Sequence, residues 1–269
     1  MLANLKLHKM LNNVNLGSIL FLDIECVSTT KTYKELDDNL KKFWKLKSRG
    51  ILKKYDEPIT DEEAAVTYPE KAGIFAEFGK IVCISVGFLV KDNKKGDWHI
   101  RLKSFADRDE KKLLQEFSGL IGQYFSSGKN KKGLLTHYCG HNIKEFDMPY
   151  ICRRLLINQL PLPDSLDIAG KKPWEVAHFI DTLTLWKFGD YKNYTSLSLL
   201  AAAFGFPTPK DDIDGSEVGR VFWEEDDLRR ITTYCEKDVL ATINLFMKYK
   251  IMDLIPEERT TSATDFEAI

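Results

Sequence analysis

Two periodicities divide this chain. Continuous or alternating apolar runs mark strands, and apolar residues at three- and four-residue steps mark helices. Ile19–Leu22 is uniformly apolar, the pattern of a strand buried on both faces. Gly79–Val90 and Trp98–Phe105 read as two more strands joined by a charged turn, Lys91–Gly96. Gly133–Cys139 and Val176–Asp181 complete a set of five. Helical spacing appears in Lys31–Lys54 (Leu36, Leu40, Phe43, Trp44, Leu46) and in Asp109–Ser127 (Leu113, Leu114, Phe117, Leu120, Ile121). Thr60 opens another short helix as the N-cap of a capping box with Glu63. A helix starts near Phe146–Asp147, where Pro149 is tolerated in the first turn. Thr195–Phe204 is a compact helix capped by Thr195, Glu217–Trp223 a short one, and Asp226–Lys248 a long one. Gly128–Lys132, Leu160–Glu175 and Gly205–Ser216 read as loops, and the polar residues after Asp253 are expected to fray. The alternation predicts an α/β fold in one domain, residues 1–269. A helical insertion over about residues 28–78 follows the first strand.

Composition narrows the partners. The 269 residues are 43% hydrophobic and 29% charged, ordinary values for a soluble globular chain. The net charge of −1 leaves no global basic field, so a nucleic acid would need local Lys/Arg clusters. Lys41, Lys42, Lys45, Lys47, Arg49, Lys53 and Lys54 form one such cluster in the insertion. It reads either as a solvated helix face or as a basic flap over a groove. The five cysteines, Cys26, Cys83, Cys139, Cys152 and Cys235, are widely spaced with no CxxC, which points to reduced thiols and no zinc site. No segment has the length of a membrane span and no signal peptide is evident, so the expected location is cytoplasmic.

Candidate chemistry sits at three places. The first strand ends in Asp23 and Glu25, and side chains two apart on a strand share a face. Two acids at one spot suit a pair of divalent cations such as Mg²⁺ or Mn²⁺; the alternative is a strand running out into a solvated turn. Asp147 lies near a helix N-terminus, where the dipole favours an anion, or it is a plain N-cap. Tyr234 and Asp238 stack one turn apart on the packed side of the long helix, where an acid needs a partner. A purely structural Tyr–Asp hydrogen bond is the alternative there.

Taken in order, Asp23-x-Glu25, Asn142-x-x-x-Phe146-Asp147 and Tyr234-x-x-x-Asp238 resemble the DEDD superfamily of 3′–5′ exonucleases. The subclass is the one that carries a tyrosine, because Thr233 stands where the sister subclass has its histidine. The chain resembles the proofreading exonuclease domains of family B DNA polymerases. IDGSEV and YCEKDV resemble a stand-alone, DnaQ-like family of predicted exonucleases related to those domains. The resemblance implies a ribonuclease H-like mixed five-stranded sheet flanked by helices. Its first three strands would be antiparallel and the later ones parallel to the first. It implies two divalent cations, Mg²⁺ or Mn²⁺, held by Asp23, Glu25, Asp147 and Asp238, with Tyr234 positioning the attacking water. It also implies release of nucleoside 5′-monophosphates from the 3′ end of single-stranded DNA. Cys26 stands where relatives often have threonine, in a loop that cradles the terminal nucleotide through its backbone. Asn142, Lys144 and Phe146 are further substrate-contact candidates, Asn142 also as a brace for the Asp147 helix and Phe146 with the core as its favoured place. Lys171 and Lys172 are phosphate candidates. His141 reads as a structural hydrogen-bonder, and Asp181 as a helix cap or a fifth acid. An exoribonuclease of the same chemistry and a non-catalytic nucleic-acid-binding module stand as alternatives. A ribonuclease H-type endonuclease lacks the YxxxD helix. A separate polymerase or a repair protein is a possible partner.

Overall fold

The computed structural model describes residues 11, 14–125, 134–190, 194–208 and 212–269. The first strand, β1 (Ile19–Ser28), is followed by the insertion helices α1 (Asp38–Leu52) and α2 (Asp61–Lys71). Strands β2 (Gly79–Lys91) and β3 (Trp98–Ala106) form a hairpin, and α3 (Glu110–Tyr124) and β4 (His137–Gly140) follow. Then come α4 (Asp147–Ile157), β5 (Phe179–Asp181), α5 (Thr182–Lys187) and α6 (Leu197–Phe204). The chain ends through α7 (Val218–Arg220), a π-helical turn at Val221–Glu225, α8 (Leu228–Tyr249) and β6 (Thr260–Ser262).

The sheet order is β5-β4-β1-β2-β3-β6. Strand β2 pairs antiparallel with β1 on one side and with β3 on the other, and β4 and β5 run parallel to β1, as expected. The sheet has six strands rather than five. The tail expected to fray instead returns as β6, parallel to β3. Polar Thr260–Ser262 carries no strand signal of its own. Its neighbours are fixed by Glu236 on α8, a buried carboxylate that accepts hydrogen bonds from Ser104 (3.0 Å), Ser262 (2.8 Å) and Thr264.

Alternation along β1 sorts the core into two layers. Leu20, Leu22 and Ile24 face α3 and α4, packing with Leu114, Phe117, Met148 and Ile151. Ile19 and Phe21 face α8, packing with Val239, Ile243 and Phe246. The helix comes close to the sheet at Gly87, where a Cβ would lie 2.8 Å from Val239 and 3.0 Å from Ile243. A buried ion pair ties the first layer together. Arg154 on α4 binds both oxygens of Glu110 on α3, at 2.8 and 2.5 Å, and donates to the Ala76 carbonyl at 2.8 Å. Glu110 also accepts from the Ile81 N–H at 2.7 Å.

The insertion has its own core of Tyr33, Leu36, Trp44, Ala64, Tyr68 and Phe78. Trp44 is fully buried and donates to the Ala64 carbonyl. The Tyr68 hydroxyl lies 3.1 and 3.0 Å from those of Thr29 and Thr30, fixing α2 to the end of β1. Phe43 and Leu46, expected on the buried stripe of α1, are 61% and 57% exposed. Two caps also differ. Ser196, not Thr195, caps α6, because its hydroxyl accepts from the Leu199 N–H. Phe146, not Asp147, is the N-cap of α4. The expected strand at Gly133–Cys139 is confined to His137–Gly140, and the Gly128–Lys132 loop lies outside the described residues.

Candidate active site

Asp23 and Glu25 lie on the α8 face of β1, opposite Ser85 and Cys83 of β2. The pairing slips by one residue immediately after Glu25, so that Cys26 opposes Ile81. Such a bulge bends the strand end and re-aims the side chains beside it. Helix α8 lies across this place and adds Cys235 from its first half. Ligand atoms of Asp23, Glu25 and Cys235 all lie within 4.8 Å of one another. The Cys235 thiol donates to the Asp23 carbonyl at 3.4 Å and to its Oδ2 at 3.7 Å.

Asp147 is the first residue of α4 and is 3% exposed. Its carboxyl is pushed up to about 7 by burial, although hydrogen bonds from its own backbone and from Ile24 oppose the shift. The charges of Asp181 and Asp238 add to it. Asp23 is pushed well above the usual carboxylate range, first by burial and then by repulsion from Asp238, Asp147 and Glu25 in that order. The four sequence-predicted acids therefore act on one another at one spot. Tyr234 is almost fully buried, and burial together with the charges of Asp238, Glu25 and Asp23 holds its proton far above neutral pH. Its side chain is hydrogen-bonded to Asp238.

The other candidates separate into two groups. Cys26 and Phe146 line a 290 Å³ cleft together with Glu25, Gly73, Ile74 and Ser216. Phe146 is half-buried, at once packed on the core and facing this cleft. Asn142 and Lys144 are not among the cleft's lining residues. Asn142 has a left-handed backbone (φ 67°), a conformation that asparagine tolerates. Its carbonyl accepts from the Phe146 N–H at 3.0 Å and so braces the start of α4. Asp181 is both cap and brace. Its carboxylate accepts from Leu183 and Thr184 at the start of α5, and from the Asn142 (3.0 Å) and Lys144 (3.2 Å) N–H groups. His141 bonds the Thr182 hydroxyl and the Thr195 carbonyl. Lys171 and Lys172 are exposed, the latter over the Trp174 ring.

Two residues of the site had no separate signal in the sequence. Cys235 follows Tyr234 directly, but thiols are usually plain core residues. Tyr194 stands beside His141, with ring centroids 6.3 Å apart. Its hydroxyl is raised by partial burial and then by the charges of Asp147, Asp23, Asp181 and Asp238, which puts it at the rim of the acidic cluster.

A six-stranded mixed sheet flanked by helices, with acids inside its central strand, which runs three residues past Glu25 rather than ending there, has the architecture of a ribonuclease H-like polymerase exonuclease domain. The fold is similar to that of the family B DNA polymerase from the hyperthermophilic archaeon Pyrobaculum calidifontis, with a TM-score of 0.50 and 16% identity. That match covers 86% of this chain and 24% of the polymerase, so the chain spans about a quarter of the polymerase's length. Residues 74–264, more than half of the chain, match the family described as predicted 3′–5′ exonuclease related to the exonuclease domain of PolB, and the chain belongs to that family. The match begins after β1, so Asp23 and Glu25 lie outside it. No curated protein sequence matches.

Proposed function

We propose that the protein is a metal-dependent 3′–5′ exonuclease of the tyrosine-bearing DEDD subclass, removing nucleoside 5′-monophosphates from the 3′ end of single-stranded DNA. The observation that carries this reading is the gathering of four carboxylates, Asp23, Glu25, Asp147 and Asp238, at one spot largely out of water. Such a cluster is costly unless cations offset its charge. All-oxygen donors suit Mg²⁺ or Mn²⁺, and the nearby Cys235 sulfur leans toward the softer Mn²⁺. Asp23, Glu25, Asp147 and Asp238 would hold the cations. When bound, these would supply Lewis-acid activation of a water and neutralise charge on the phosphate.

The protein's own groups do the rest. Tyr234 keeps its proton, so its hydroxyl orients the attacking water and does not act as a base. Cys235 holds Asp23 from below through its S–H contacts. The terminal nucleoside fits the cleft beside Glu25, with Phe146 on one side and Gly73–Ile74 of the insertion on another. Its volume is near the small end of the about 300–1,000 Å³ of ligand sites, a size for one nucleotide and not a duplex.

The test is a 5′-labelled single-stranded DNA oligonucleotide with Mn²⁺, Mg²⁺ or EDTA, beside RNA of the same sequence. A metal-dependent ladder shortening from the 3′ end, lost in Asp23→Ala, is the expected result. Cleavage retained by that variant, or by neither strand in the wild type, would sink the assignment. A faster RNA ladder would transfer the same chemistry to RNA.

A further inference from the structure

The insertion gives α1 an outward face that its own core does not use. Lys42, Phe43, Leu46, Lys47 and Gly50 are all exposed on it, and the one-and-four spacing places them on a single side of the helix. Globular proteins seldom spend a phenylalanine and a leucine on a helix surface flanked by lysines unless something lies there. Helix α1 contains Lys41, Lys42, Lys45, Lys47 and Arg49 against a single acid, Asp38. Lys41 pairs with Asp38 and Lys45 with Asp61, while Lys47 lies over the Phe75 ring at 4.1 Å.

One short stretch of chain links this face to the catalytic cleft. Gly73 and Ile74 line the cleft beside Glu25. Three residues further on, Glu77 and then Phe78 line a second depression, whose other wall is Leu40, Phe43, Leu46 and Lys47. Ile74 and Glu77 are at most about 11 Å apart along the chain, so one short stretch of backbone borders both hollows. The Tyr150 hydroxyl holds that stretch by donating to the Gly73 carbonyl at 2.8 Å. Glu77 is an acid on the path, and Glu70 lines the cleft.

We propose that the outward face of α1 carries the single-stranded nucleic acid whose 3′ end occupies the Glu25 cleft. The proposal rests on the exonuclease reading and adds to it the path of the strand. Mixed aromatic and lysine character is what a sequence-tolerant strand groove needs: rings for base faces, ammonium groups for phosphates. A protein partner would favour the apolar pair but has no use for a border shared with the cleft.

The test uses the full chain and two double variants at exposed positions, Phe43→Ala/Leu46→Ala and Lys42→Glu/Lys47→Glu. Binding of a fluorescent 20-nucleotide DNA is measured by anisotropy in Ca²⁺, over a series of salt concentrations. Hydrolysis of a trinucleotide, too short to reach α1, is measured in Mn²⁺. The expected result is about tenfold weaker 20-mer binding for each double variant, with a salt slope shallower by about 1.4 in the lysine variant. Trinucleotide hydrolysis stays at the wild-type rate. Unchanged 20-mer affinity and salt slope would overturn the proposal and leave the face to a protein partner. Failure of the wild type to hydrolyse the trinucleotide would instead remove the exonuclease reading, and the 20-mer arm would still decide for this face.

Discussion

Asp147 has the most telling electrostatics of any side chain in the site. An unfolded carboxyl titrates near 3.8, and this one is raised to about 7 when folded. The folded state therefore holds the proton more tightly. Its contribution to stability is complete below about pH 4 and is lost as pH rises through about 7. In EDTA, the Tm difference between wild type and Asp147→Asn should change with pH in that direction, the wild type losing ground between pH 5 and 8. A calorimetric pH series checks it. Added Mn²⁺ should raise the wild-type Tm more at pH 8 than at pH 5.5, because cations favour the ionised cluster. Tyr234 tests a different property. Tyr234→Phe should lower kcat by about 10- to 100-fold with little change in the Mn²⁺ concentration giving half-maximal rate, since its hydroxyl orients water and is not a metal ligand. The residue-scale site was legible where periodicity alone brings groups together: Asp23 with Glu25 on a strand, Tyr234 with Asp238 on a helix. Cys235 and Tyr194 were not legible, because their places depend on how α8 crosses β1 and how the segment before α6 folds back.

At the scale of elements, the buried carboxylates Glu110 and Glu236 act as fasteners. Removing Arg154 leaves Glu110 charged and buried without its bidentate partner. Arg154→Met should cost about 3–5 kcal/mol in a urea unfolding curve. Glu236→Ala leaves the Ser104, Ser262 and Thr264 hydroxyls without their common acceptor. A loss of about 2–3 kcal/mol is expected there, with hydrogen exchange accelerated first in β6. Strands β1 to β3 and helix α8 could be drawn from the sequence because each has a long pattern of one period. Strand β6 could not, since three polar residues are placed by a carboxylate 26 residues away from Ser262. The cap of α6 was misplaced by one residue, because Thr195 and Ser196 are both good caps and only the backbone decides between them.

The molecule as a whole has a shared sheet with two layers and a separate insertion core around Trp44. Trp44→Ala should remove about 3–5 kcal/mol of packing. The loss should appear as early proteolysis within residues 31–77, with the sheet still protected, which limited digestion followed by mass spectrometry can read. Among the described residues no helix is long and apolar enough to cross a membrane. The α/β class and the order of strands followed from the alternation of periods. The division of labour in the insertion did not. Local pattern assigns Phe43 and Leu46 to a buried stripe, whereas the ring of Trp44 fills the space under the helix and leaves them outside.

The missing side chain at Gly87 has a practical consequence for anyone reshaping this protein. Helix α8 rests where it does because nothing stands on β2 beneath Val239 and Ile243. One methyl group there would press on the stiff Val239 Cγ1 and on the ends of Ile243 and Leu102, so the fold would accommodate it by a small lift of the helix. Asp238 sits next to Val239 and would ride upward with it. A screen ranking variants by heat resistance would record Gly87→Ala as a folded variant weakened by about 1–3 kcal/mol, while a screen on turnover would discard it. Tolerance to mutation and retention of function thus part company at a position well inside the core.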